Sequence, residues 1–456
     1  MKLPELLKTE KSNNKALIVF TREPEPGKTK TRLMPYFTQE QCAGLHSCML
    51  RDISREMKST DADIIVAYTG GRNGPEFLRK TFGKTAVFIE QIGEDIGARM
   101  KNAIKEALEL GYDKVVLIGT DIPEIRAESV DDAFSKLDSS DIVLGPTEDG
   151  GYYLIGMSSV HPEAFEVKVY GTGSVFEETA ESLRLAGLSV ALADKYPDID
   201  TPEDISANRK RMREDSSVRN SHTGRCIRDA ARISVIIPVF NESGEVGCMM
   251  EQLREYKKEC EIIFVDGGST DDTVSMIGND FTVISGEKGR GAQMNRGALE
   301  STGDILFFLH CDSLLPEGFD REIRRVMSVH DWGCFGVRFP SKNFFMLTNR
   351  IISNYRASMR KLPFGDQGIF IDRKLFFDTG MFPEIPLMED YEFSLKMKQH
   401  GIAPGMTGKR LVSSDRRYGT GTKSILKTEI CMWKLRRMYR RGVSPDVLRS
   451  YYNDVR

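Results

Sequence analysis

Twice in this chain an apolar run of strand length ends on an acid, with a proline close behind. The two runs are VVLIGTDIP at 115–123 and ILFFLHCDSLLP at 305–316. A short, continuous apolar run fits a strand covered on both faces, as in an α/β sheet. Ligands of such sheets bind beyond the carboxyl ends of the strands. Asp121 and Asp312 are therefore expected at the rim of a crevice, within reach of a cation or a sugar hydroxyl. The plainer alternative for either is an acid that satisfies the backbone of its own turn.

The rest of the chain supplies the sheets that these strands need. ALIVF (16–20) opens one series of strands alternating with helices, and ISVIIPVF (233–240) opens another. Such alternation argues for mostly parallel sheets, and 456 residues exceed one ordinary core. Two tandem α/β domains are expected, at 1–208 and 232–456, two versions of one architecture without a visible sequence repeat. Between them 209–231 is highly charged and poor in large apolar residues, which predicts an exposed linker whose first part can continue a helix from PEDISANRKRM. The net charge of −3 gives no global reason to bind nucleic acid. No apolar stretch approaches the roughly 18–20 residues that span a bilayer. The opening MKLPELLKTEKSNNK lacks an export core, so a cytoplasmic protein without a transmembrane segment is expected. Eight cysteines without a CxxC pair predict reduced, mostly structural thiols.

In the second half, ISVIIPVFNES and IIFVDGGSTDDT each run from a buried strand into polar groups, Asn241 with Glu242 and then Asp266. The glycines of DGGST permit close backbone approach. Taken singly, these features also fit turns and helix caps. In order, DGGSTDDT, GEKGRGAQMNRGA, FLHCDSLLP, FGDQGIFIDRKLF and LMEDYEFSLKMKQHG resemble the family 2 glycosyltransferases of the GT-A fold, in particular the arsenosugar-biosynthesis type. The resemblance implies that Pro238, Asn241, Glu242 and Asp266 hold the base and ribose of a nucleotide-sugar. It implies a divalent metal, Mg²⁺ or Mn²⁺, at Asp312, where the common DxD reads His310-Cys311-Asp312. Asp390 would be the catalytic base of an inverting transfer, taking the proton of an acceptor hydroxyl. Asp366 and Gln367 would shape the acceptor side. Arg290 and Gln293, in a Gly-rich loop entering a helix, suit phosphate contact. Arg416 and Arg417 offer guanidinium forks for a diphosphate. The basic stretch ILKTEICMWKLRRMYRR has an apolar side through Ile425, Ile430, Trp433 and Met438, expected to pack on the domain rather than on a membrane.

In the first half, FTREPEPGKTKTRL (20–33) is a basic loop after the first strand, and no Walker A pattern is present. With GARMKNAI, LIGTDIPEI, GPTEDGGYYLIG, YGTGSVFEET and DIDTPEDI it resembles the DUF2064 family, whose fold is GT-A-like and related to nucleotidyltransferases. By analogy Gly27, Lys30 and Arg32 would contact phosphates, Asp121 would seat a metal, and Asp149 through Tyr152 would meet substrate. Asp200 would add a second metal carboxylate or, with Thr201, start a helix whose first position is Pro202.

The combined expectation is a bifunctional sugar enzyme built from two GT-A-like, Rossmann-like domains. Its C-terminal half would transfer a sugar from a nucleotide-sugar to a small-molecule or lipid-like acceptor. Its N-terminal half would join an NTP to a sugar phosphate or perform a second transfer. The alternative is an N-terminal half that binds nucleotide without catalysis and regulates the other.

Overall fold

The computed structural model describes residues 13–34, 36–71, 75–166, 173–418 and 421–453. The chain forms two compact units, Met1–Ala230 and Ala231–Arg456. The first contains strands β1 (Lys15–Arg22), β2 (Asp63–Thr69), β3 (Val87–Glu90), β4 (Lys114–Ile118), β5 (Ile142–Pro146), β6 (Tyr152–Met157) and β7 (Val190–Leu192). The second contains β8 (Ile233–Val239), β9 (Cys260–Asp266), β10 (Thr282–Ser285), β11 (Ile305–Phe308), β12 (Trp332–Arg338), β13 (Ile369–Asp372) and β14 (Gly405–Val412).

The first sheet runs β3-β2-β1-β4-β6-β5-β7 and the second β10-β9-β8-β11-β13-β12-β14. Numbered within each unit, both orders are 3-2-1-4-6-5-7. In each sheet the sixth strand is antiparallel to its two neighbours, and all other pairings are parallel. The expectation of two α/β units of one architecture is met at the level of strand order.

The two apolar runs are continuous because each strand serves two cores. Along β4, Val116 and Ile118 enter one cluster while Val115 and Leu117 enter the other. Along β11, Ile305 and Phe307 face the cluster around Phe319 and Phe335, while Leu306 and Phe308 face Phe376 and Phe393. Each fully buried side chain of this size stabilises the unit by about 1.5–3 kcal/mol relative to exposure. Beyond the last ladder bond of each strand the chain turns polar, which puts Asp121 and Asp312 at the carboxyl ends.

The reversal at β6 follows from a hairpin. Thr147 N–H donates to Gly151 O at 3.0 Å, and Asp149 Oδ1 accepts from Gly151 N–H at 3.0 Å. Gly150 has φ +88°, and a Cβ there would stand 2.0 Å from Gly173 O, so only glycine fits.

The expected helical first part is present, since the helix Pro202–Glu214 starts at Pro202 with Thr201 as its cap, but the exposed linker beyond it is a correction. Pro202–Glu214, Ser216–Asn220 and His222–Asp229 are helices, and Met212, Val218 and Ile227 pack with Leu45, Met49 and Ile199. Buried Asp52, on the helix Gln39–Met57, accepts hydrogen bonds from His222 N–H (2.9 Å), Thr223 N–H (2.7 Å) and Thr223 Oγ1–H (2.8 Å). Lys210, Glu214, Asp215, Arg225 and Asp229 are exposed, Arg211 pairs with Glu124 at 3.1 Å, and a few widely spaced apolar residues anchor the stretch to the first unit.

Candidate functional site

In the first unit a cavity of about 550 Å³ opens beyond β1, β4 and β6. Its floor is set by the basic loop after β1. Lys30 has left-handed backbone (φ 51°), and its side chain is only 3% exposed. Its Nζ donates to Asp121 Oδ1 and to Ile199 O, each at 2.5 Å, and lies 3.6 Å from Asp200 Oδ1. Arg32 Nη1 reaches Asp200 Oδ2 at 2.9 Å. Desolvation pushes the Asp121 carboxyl up, but the Lys30 ammonium more than offsets this and holds it below its ordinary value. Asp121 and Asp200, 79 residues apart, are thus drawn together by one cation.

Beneath them Thr21 and Thr120 hydroxyls lie 3.0 Å apart, and each is 3.3 Å from His46 Nε2. Burial and the nearby Lys30 charge push His46 down to about 3, so this ring is neutral. Asp149 and Tyr152 line the same cavity, with Arg22, Arg99 and Asp198. Burial, then repulsion from Asp149, raises Asp198 to about 6. Gly27 does not line the cavity; its φ of +78° shapes the loop that delivers Lys30. The start of YGTGSVFEET, residues 170–172, lies outside the described residues.

In the second unit two cavities, about 940 and 420 Å³, share Arg290, His310 and Asp312 as lining. The larger is lined by Pro238, Asn241, Glu242 and Arg416. Asn241 is left-handed (φ 55°), and its Oδ1 accepts from Thr270 N–H at 2.8 Å, tying the loops after β8 and β9 together. Arg416 gathers the acids: Nη2 lies 3.0 Å from Asp312 Oδ2 and 3.3 Å from Glu242 Oε2, and Nη1 lies 3.1 Å from Glu245 Oε1. Burial raises the Glu242 carboxyl, partly countered by Arg416.

The smaller cavity holds Asp366 and Asp390. Asp390 opens the helix Glu389–Gln399, behind a left-handed Met388 (φ 75°). Its Oδ2 accepts from Gly365 N–H and its Oδ1 from Tyr391 N–H, both at 2.7 Å. A Cβ on Gly365 would stand 3.0 Å from His310 Nε2 and 3.3 Å from Asp390 Oδ2, so glycine lets the loop pass beside both. Three of the five left-handed non-glycine residues described, Lys30, Asn241 and Met388, lie in or beside these cavities. Such backbone costs about 1–3 kcal/mol each and concentrates at functional sites.

Several residues expected at the site are engaged with other protein groups. The Asp266 carboxylate accepts from Gly268 and Ser269 N–H of its own turn and lines neither cavity. Gln293 borders the larger cavity but is 3% exposed, and its Nε2 donates to Val239 O and Val265 O, both at 2.8 Å. Its amide hydrogens fasten β8 to β9 instead of meeting a phosphate. Gln367 is fully buried, donating to Phe335 O and accepting from Arg356, so it supports the loop without facing an acceptor. Arg290 lines both cavities and pairs with Glu389 at 2.8 Å. The Arg417 side chain lies outside the described residues.

The sequence reading missed Arg356 and Arg436. Arg356 lies 3.4 Å and Arg436 5.6 Å from the centroid of the Phe364 ring, and both line the smaller cavity. Burial lowers Arg356 to about 10. Asp198 was legible, since DIDTP carries it two residues before Asp200.

A profile of the family described as "Uncharacterized protein conserved in bacteria (DUF2064)" matches residues 53–172, and the profile of glycosyl transferase family 2 matches 234–382. Among curated proteins the chain is 30% identical over 180 residues to a 2-phospho-L-lactate guanylyltransferase of Methanocaldococcus sp. (strain FS406-22), a match over 39% of this chain and 74% of that protein. It is 36% identical over 98 residues to a PGL/p-HBAD biosynthesis glycosyltransferase of Mycobacterium bovis (strain BCG / Pasteur 1173P2), over 19% of this chain and 38% of that one. A solved structure from Desulfovibrio desulfuricans G20, assigned as a nucleotide-diphospho-sugar transferase, is 35% identical with a TM-score of 0.45, covering 47% of this chain and 94% of its own. With two GT-A-like sheets of one strand order and a family match in each half, this chain joins a DUF2064-family domain to a family 2 glycosyltransferase domain.

Proposed function

We propose that the second unit is an inverting glycosyltransferase using a nucleotide-sugar donor, and that the first is a nucleotidyltransferase acting on an NTP and a phosphorylated acceptor. The observation that carries this reading is the pair of adjoining cavities meeting at Asp312. One offers Asn241, Glu242 and Arg416 to a nucleotide diphosphate, and the other offers Asp390 to an acceptor.

In this reading the acceptor hydroxyl lies against Asp390, which takes its proton as the new bond forms. Hydrogen bonds from Gly365 and Tyr391 N–H hold that carboxylate in one orientation. Attack from the face opposite the leaving diphosphate inverts the anomeric carbon through an oxocarbenium-like state. Arg290 and Arg416 offset charge on the departing phosphates.

Among the described residues no three His, Cys, Asp or Glu side chains form a ready metal cluster. Asp312 and Glu242 nonetheless converge on one cationic group, the Arg416 guanidinium, so hard oxygen donors are in place. Mg²⁺ commonly takes one or two carboxylates and completes its shell with water and substrate phosphates. Asp312 here, and Asp121 with Asp200 in the first unit, would hold Mg²⁺ or Mn²⁺, which supplies charge neutralisation on the diphosphate when bound. In the first unit Lys30 and Arg32 would orient the phosphates of an NTP for attack by a phosphorylated acceptor, with pyrophosphate leaving. The guanylyltransferase relative supports that class of reaction.

The test is a panel of UDP- and GDP-sugars with Mn²⁺ on the full chain, read as donor hydrolysis and transfer. Asp390→Asn is expected to lose about 10²–10⁴-fold in turnover while keeping donor affinity. Unchanged turnover would refute the base assignment. NTPs with phosphorylated acceptors, read as pyrophosphate release abolished by Asp121→Asn, test the first unit.

A further inference from the structure

The helix Phe344–Met359 leaves one side uncovered. Phe344, Leu347, Ile351, Ile352, Tyr355 and Met359 are all exposed, Phe344 and Met359 by 73% and 67%. Their spacing confines them to a single helical face. The opposite face is settled: Met346 packs with Val337, Phe339 and Ile425. The neighbouring helix Thr422–Tyr439 extends the patch with Ile430 and Trp433, each about half exposed. Its expected inward packing therefore holds for Ile425 and Met438 and fails for these two. A run of eight large exposed apolar groups on two adjoining helices is more than isolated surface residues explain.

The surroundings select the partner. Residues 342–361 contain no Asp or Glu, and residues 422–441 contain only Glu429. Lys342, Arg360 and Lys361 stand exposed at the ends of the first helix, and Lys434 and Arg437 along the second. An apolar strip framed by cations of one sign fits a surface that is apolar inside and anionic at its edge. A second copy of the same strip would set like charges against each other. No helix of the described residues is long and apolar enough to cross a membrane. An apolar helix face flanked by lysines and arginines suits a protein lying on a bilayer.

We propose that this face docks the second unit on an anionic lipid bilayer, with the apolar strip seated among the acyl chains and the lysines and arginines at the headgroups. Ile352, Ile430 and Trp433 belong both to the strip and to the wall of the smaller cavity, so docking turns the mouth of that cavity toward the lipid.

The full chain is mixed with vesicles of phosphatidylcholine alone or with phosphatidylglycerol, and binding is read by co-sedimentation and tryptophan emission. The chain has two tryptophans; Trp332 is fully buried, so an emission shift reports Trp433. Binding to phosphatidylglycerol vesicles, weakened by salt, is expected with a blue shift. Phe344→Ser with Ile351→Ser, neither a cavity residue, is expected to weaken binding at least tenfold with donor hydrolysis unchanged. Lys434→Glu with Arg437→Glu should weaken it on anionic vesicles. The proposal is overturned if the chain ignores both vesicles or if the serine variant binds as well as the parent. It is equally overturned if the parent forms a dimer that the serine pair dissolves while vesicle binding is absent.

Discussion

Asp198 shows how one residue can register the charge of a whole cavity. Burial and the neighbouring carboxylates Asp149, Asp204 and Asp121 raise it from an ordinary 3.8 to about 6. Between those values the folded chain binds more protons than the unfolded chain, so stability falls as pH rises through that window and stays lower above it. Asp198→Asn is therefore expected to raise the thermal midpoint at pH 8, on the order of a few degrees, with the gain vanishing below pH 4. Calorimetry at the two pH values checks this, and an equal gain at both would refute it. The same scale shows where sequence reading stops. The acids at strand ends were legible because a charge that interrupts an apolar run has few places to go. Gln293 and Gln367 were not, because an amide reads alike whether it faces a ligand or binds strand carbonyls. Arg356 and Arg436 escaped notice because the Phe364 ring that both approach joins residues 80 positions apart.

At the scale of elements, the central strands β1, β4, β8 and β11 follow their apolar runs closely, since covering both faces demands apolar residues at nearly every position. Strands β12 to β14 were harder to see, because Gly333 and Gly336 interrupt one and GMTGKRLV alternates on another. The stretch 209–231 teaches the reverse case: the anchors Val218 and Ile227, one on each of its last two helices, are too sparse to announce them in charged sequence. What fixes it is Asp52, a fully buried carboxylate that accepts three hydrogen bonds at the start of the helix His222–Asp229. Asp52→Ala strands those donors and is expected to cost about 1–3 kcal/mol. Urea titration of the first unit's signal measures the loss, and limited trypsin digestion should then cut among Arg209 to Arg228. Resistance equal to that of the parent would show that apolar packing alone holds these helices.

At the scale of the molecule, each unit has its own sheet with cores on both faces, and each is of a size that one domain commonly reaches. Residues 231–456 expressed alone are expected to unfold cooperatively and to keep donor hydrolysis within a few-fold of the full chain. Circular dichroism melts and the donor assay check this. A half that is unfolded by itself would show that its stability depends on the other. Because both units share one strand order, the chain also carries a kinetic hazard, which their unlike sequences lessen. When both halves are unfolded together, a strand of one meets in the other a set of neighbours with matching polarity, and mispaired traps of this kind are a known failure of multidomain chains. Emergence from the ribosome relieves it, since the first sheet and its closing helices are complete before the strands after Ala231 exist to compete.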